Sequence, residues 1–61
     1  MELVNDKTNE RVTVTPEDIT EIMAFRTEMT CMERHGDTIT RLQVQPGGLH
    51  WYVVDVWRLN R

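Results

Sequence analysis

The 61 residues predict a small α+β domain, with two β-hairpins joined by one amphipathic helix in the order β-β-α-β-β. Three observations carry that expectation. Two runs of alternating or β-branched residues are each interrupted by turn formers, and a complete helix-start signal lies between them. The stretch Gly48 to Arg61 then concentrates both tryptophans, the only tyrosine and three valines. Its apolar residues fall on both alternating sets, Leu49, Trp51, Val53, Trp57 and Leu59 on one and Tyr52, Val54 and Val56 on the other. Such a strand is stable only with both faces out of water.

The first hairpin is read over residues 2–14, where Leu3, Val4, Val12 and Val14 flank the turn-forming run Asn5 to Glu10. Asn9 is the residue suited to the left-handed conformation. Pairing Asn5 with Glu10 sets Leu3 opposite Val12 and Met1 opposite Val14. The helix start follows at Thr15-Pro16-Glu17-Asp18, with a threonine N-cap, proline at the first helical position and acids facing the helix dipole. Asp18 can return a capping-box bond, less strongly than Glu or Gln would. Arg34, His35 and Gly36 suit the far end.

Continued at 100° per residue, Ile19, Ile22, Met23, Phe25, Met29 and Met32 form the apolar face of this helix, with Cys31 and His35 opposite. Arg26 and Glu33 fall inside the apolar arc and require outward snorkelling or partners. The second hairpin pairs Thr38–Gln45 with the last strand around Pro46-Gly47-Gly48, proline at i+1 and glycine at i+2. Val44 opposite Leu49 gives Leu42 with Trp51, Thr40 with Val53 and Thr38 with Asp55 beneath the helix. Ile39, Arg41, Tyr52 and Val54 then share the outer face. In this register Asp55 needs Arg26 or the neighbourhood of Arg41 as compensation, or a bulge near Val54 to turn it outward. The last strand also outruns its partner, so its second half must pair with the first hairpin or across a dimer axis.

A chain of this length forms a single domain, residues 1–61, and buries only about 60% of the surface its unfolded form exposes, so association is a natural remedy. The lone Cys31 excludes an intrachain disulfide and fits a reducing compartment; with no signal-like amino terminus and no apolar span, the expected location is the cytoplasm, away from the membrane. The net charge of −3 is unevenly distributed. Residues 1–33 carry three basic against eight acidic side chains, whereas residues 34–61 carry four basic against two acidic ones. An acidic helix and a basic hairpin attracting each other account for this, and a surface with patches of both signs is the alternative.

No catalytic motif, cofactor loop or metal motif emerges. Pro46-Gly47-Gly48 lacks the lysine and hydroxyl of a phosphate loop. Cys31 and His35, four apart, make one weak ligand pair that would need His50 or Asp37 to converge. The function expected from the sequence is therefore non-catalytic binding of another protein, of the regulator or inhibitor type that bacteria and their viruses encode, after or through homodimerisation. Ile39, Arg41, Tyr52, Val54 and Val56 are the expected contact residues, with Trp57 and Arg58 near the rim. The alternative is a nucleic-acid-binding regulator, since Arg41, His50, Trp51, Tyr52, Trp57, Arg58 and Arg61 interleave cations and rings on one hairpin.

Overall fold

The computed structural model describes all 61 residues. Strands β1 (Glu2–Asn5) and β2 (Arg11–Thr13) precede helix α1 (Pro16–Ala24), and β3 (Thr30–His35), β4 (Thr38–Gln43) and β5 (Tyr52–Asn60) follow. They form one antiparallel five-stranded sheet in the order β2-β1-β5-β4-β3, with α1 on one face. The α+β class and the order of the expected elements hold, with one strand more than the sequence predicts.

The first hairpin forms in the expected register. Leu3 faces Val12, the Asn5 amide donates to the Glu10 carbonyl at 2.8 Å, and the Val14 amide donates to the Met1 carbonyl. Asn9 takes φ +62°. Asn5 is buried because its Oδ1 closes the turn, accepting from the Lys7 and Thr8 amides at 2.9 Å each. The helix begins with a full capping box: Asp18 N–H donates to Thr15 Oγ1 at 3.1 Å, and Thr15 N–H donates to Asp18 Oδ2 at 2.8 Å.

The helix stops at Ala24, a correction to the longer helix that the 100° periodicity predicts. Phe25 leaves helical geometry at ψ 122°, and Thr27 Oγ1 then accepts from the Met29 and Thr30 amides, turning the chain back into β3. Met32 still reaches the core, but from a strand. Gly36 has the positive φ, +61°, that its helix-ending reading required, yet it serves a different turn. With Asp37 it forms the two-residue connection between His35 and Thr38, the first central position that a type II′ hairpin reserves for glycine.

The second hairpin also shifts. Gln43 faces Tyr52 and Leu42 faces Val53, but beyond a register shift Arg41 faces Asp55, Thr40 Val56, Ile39 Trp57 and Thr38 Arg58. Val54 is the extra residue, a bulge at the expected place, although Asp55 stays on the helix side with Arg41 and is not turned out to solvent. The connection from Val44 to Trp51 is longer than the tight hairpin expected. It contains the Pro46-Gly47 turn, closed by the Gly48 amide on the Gln45 carbonyl at 2.7 Å, with Gly47 at φ +74°. The slip inverts β4: Ile39 and Arg41 point to the helix side, and Thr38, Thr40 and Leu42 point away from it.

The core consists of Leu3, Val14, Ile19, Ile39 and Leu59, with Ile22, Met23, Met32 and Trp57 packed against it. On the opposite face Val4 is buried as well, set in register between Arg11 and Arg58, whose side chains reach Glu2 and Asp6. The second half of β5 pairs with β1 from Trp57 to Asn60, as its excess length requires. No helix is long and apolar enough to cross a membrane.

Candidate functional site

Helix length decides what stays uncovered. Nine residues at 1.5 Å each span about 13 Å, whereas the nine residues of β5 span about 30 Å. The helix start is fixed by its cap, so the cover lies over the half of β5 that pairs with β1. The other half, together with its loop, projects as an arm. Leu49, Trp51, Tyr52, Val53 and Val54 are all exposed there, Leu49 to 90%. Phe25, at the point where the helix ends, is exposed as well and lines an open groove with Ile22, Met32 and Arg41.

The arm makes the molecule larger than its mass requires. Its accessible surface is 4593 Å², against about 4,100 Å² for a compact monomer of this mass. The radius of gyration is 12.1 Å, against about 10.5 Å for a compact chain of this length. Only 7 of the 61 residues are buried, so the excess lies in surface that the chain's own core does not claim. The five apolar residues of the arm together expose roughly 600 Å², divided between the two faces of the strand.

At the root of the arm, on the helix side, Arg41 holds Asp55 through two hydrogen bonds, Nη2 to Oδ2 at 2.6 Å and Nε to Oδ1 at 3.2 Å. The carboxylate is mostly buried and the guanidinium is more open. The pair borders an apolar groove of about 280 Å³ between helix and sheet, walled by Ile22, Met32, Ile39 and Trp57. Tyr52 OH donates to Gln43 Oε1 at 3.3 Å, one step further along the same face. The ion pair thus ends the core and the arm begins beyond it.

The residues expected at the contact surface divide accordingly. Tyr52 and Val54 are exposed on the arm, Val56 is half-buried on the face away from the helix, and Arg58 is exposed on that face beside Asp6. Arg41 is committed to Asp55 on the helix side. Ile39 is a correction: at 1% exposure it is the centre of the core, brought there by the register slip that inverts β4. Trp57 packs against that core, as its position opposite Ile39 dictates.

Trp51, expected beneath the helix, is exposed, and Leu49 and Val53 are exposed with it. The sequence carried a signal for this in the length of the segment between the proline turn and the valine run. A short hairpin would have placed those rings under cover, whereas an eight-residue connection lifts them out.

Cys31 and His35 do not form the helical ligand pair. On a strand, four positions separate them by about 13 Å, and His35 lies instead beside Glu33, Nε2 to Oε2 at 3.6 Å. No three His, Cys, Asp or Glu side chains converge in a geometry that could hold a metal ion. Three of the four arginines of the basic half face an acid, Arg41 with Asp55, Arg58 with Asp6 and Arg61 with Asp37, whereas Arg34 donates to the Gly36 carbonyl. Comparison with models of known protein families, with curated proteins and with solved structures finds no match to this chain.

Proposed function

We propose that this chain is a non-catalytic protein-binding module that works through the arm of its last hairpin. The observation that carries the reading is the run Leu49 to Val54, in which five of six residues are apolar and all five are exposed. Aromatic and branched side chains held on a strand lose little freedom on contact, which suits the centre of an interface. Arg58 and His50 supply a polar rim.

Nucleic-acid binding is the second reading, supported by the exposed rings of Trp51 and Tyr52, which could stack on bases. Against it, the nearby arginines already have carboxylate partners, and the chain is acidic overall.

Immobilised chain exposed to lysate with and without nuclease separates the two, with Leu49→Ser plus Trp51→Ser as the control. Both positions are exposed, so the control keeps the fold. Protein capture that survives nuclease and is lost in the double variant supports the protein-binding reading. Capture that vanishes on nuclease treatment, together with salt-sensitive binding of a labelled oligonucleotide, overturns it in favour of the second.

A further inference from the structure

The arm has one free side. β4 lies along β5 from Tyr52 to Arg58, but β1 reaches only from Trp57 to Asn60, followed by one bond from the Asp6 amide to the Val56 carbonyl. Tyr52 to Asp55 therefore has a strand neighbour on one edge alone. An unpaired edge invites a further strand unless it is guarded.

The outermost edges of the sheet are guarded by charges or by their short length, whereas this one carries only the bulge at Val54. The start of β3 is covered by the bridge between Arg26 and Cys31 and by the Thr27 amide on the Thr30 carbonyl, and its end carries Glu33, Arg34 and His35. β2 is three residues long and carries Arg11. Between Trp51 and Val54 there is no charge at all, and the charge of Asp55 is held by Arg41.

We propose that the occupant of this edge is a second copy of the same chain, added antiparallel about a twofold axis near Val53. This rests on the protein-binding reading and names its partner. A neutral segment set against itself meets no like charge, and the twofold brings Trp51 and Tyr52 of one copy towards Val53 and Val54 of the other, the aromatic with β-branched pairing that stabilises adjacent strands. The area fits as well. Complete burial of the arm on both copies would remove at most roughly 1,200 Å², the size of a small interface and not of an obligate one. Because the bulge at Val54 limits the paired segment, the dimer is weak, with dissociation in the micromolar range.

Sedimentation velocity over a concentration series tests this on three proteins: the wild-type chain, Val53→Lys at the free edge, and Val12→Lys on the β2 edge. Val53 is 55% exposed, so the free chain tolerates lysine there, and circular dichroism checks that it does. The wild type and Val12→Lys should approach twice 7.2 kDa as concentration rises, whereas Val53→Lys should dissociate at least about tenfold more readily. With Cys31→Ser and Val53→Cys combined, oxidation should give a covalent dimer.

A dimer indifferent to Val53→Lys overturns the proposal, because association then uses another face. A wild-type chain that stays monomeric to about 1 mM overturns it as well. If that monomer still captures a protein from lysate and Val53→Lys abolishes the capture, the self-partner falls and the binding reading stands. A monomer that captures nothing removes both.

Discussion

Replacing Ile39 by alanine is the sharpest test of the register, because the two arrangements of the second hairpin put this side chain on opposite faces. Here it is 1% exposed, flanked by Arg34 and Trp57 on the neighbouring strands and packed with Ile19, Leu3 and Leu59. Truncation of such a group removes its transfer energy and leaves a cavity, a cost of about 2–5 kcal/mol. A domain of 61 residues is stable by roughly 3–9 kcal/mol in total. Loss of about 3 kcal/mol, roughly a 150-fold change in the folding equilibrium, is thus between a third and all of the margin.

Leu42 supplies the control. The register read from the sequence places it beneath the helix, whereas here it is half-buried on the other face, opposite Val53. Leu42→Ala should cost less than about 1.5 kcal/mol, since much of its side chain stays in water. Urea unfolding of both variants, followed by tryptophan fluorescence at submicromolar concentration so that association contributes nothing, gives the two costs. The midpoint should fall far more for Ile39→Ala, with an unchanged slope. Equal costs, or a larger one for Leu42→Ala, would refute the inverted β4 and with it the position of the arm.

Two further outcomes are expected. Thr15→Ala and Asp18→Ala each remove one bond of the reciprocal cap, and each should cost about 0.5–2 kcal/mol; a thermal melt of the double variant should show less than the sum, because the two bonds support each other. Arg41→Met leaves the Asp55 carboxylate mostly buried without its partner and should cost about 1–3 kcal/mol in urea unfolding. The paired variant with Asp55→Asn should recover part of that loss, by an amount kept modest by the exposure of the guanidinium.

The parts of the fold that depend on local chemistry were readable from the residues alone. Asn9 in the left-handed region, the pairing of Leu3 with Val12, the threonine cap and the Pro46-Gly47 turn follow from neighbours within a few positions. What was not readable depends on competition between distant partners. Residues 25–35 continue the helical period well enough that Met29 and Met32 fall on the expected face, yet Arg26 and Glu33 fall there too, and that conflict marks where the helix gives way. Thr27 and Thr30 favour the turn and the strand, and pairing with β4 supplies backbone bonds along six positions.

A strand of period two has little preference between registers when both its faces are apolar, so the slip in β4 was hidden as well. A bulge near Val54 was foreseen as one of two ways to accommodate Asp55, but instead of turning Asp55 outward it brings Arg41 to the helix side to pair with it. For the candidate site, the exposure of Tyr52 and Val54 was legible, whereas Ile39 was placed on the wrong face and Trp51, Leu49 and Val53 were expected beneath the helix. All four follow from the one slip and the shorter helix.

The strand at the middle of the sheet is also the one the ribosome makes after every other element. Until it is in place, the amino-terminal ribbon and the β3–β4 ribbon share no strand pairing, since β5 is the strand that lies between β1 and β4. The continuous sheet therefore closes only when β5 is in place, and a premature stop codon upstream of Trp57 would forfeit the whole domain rather than trim it.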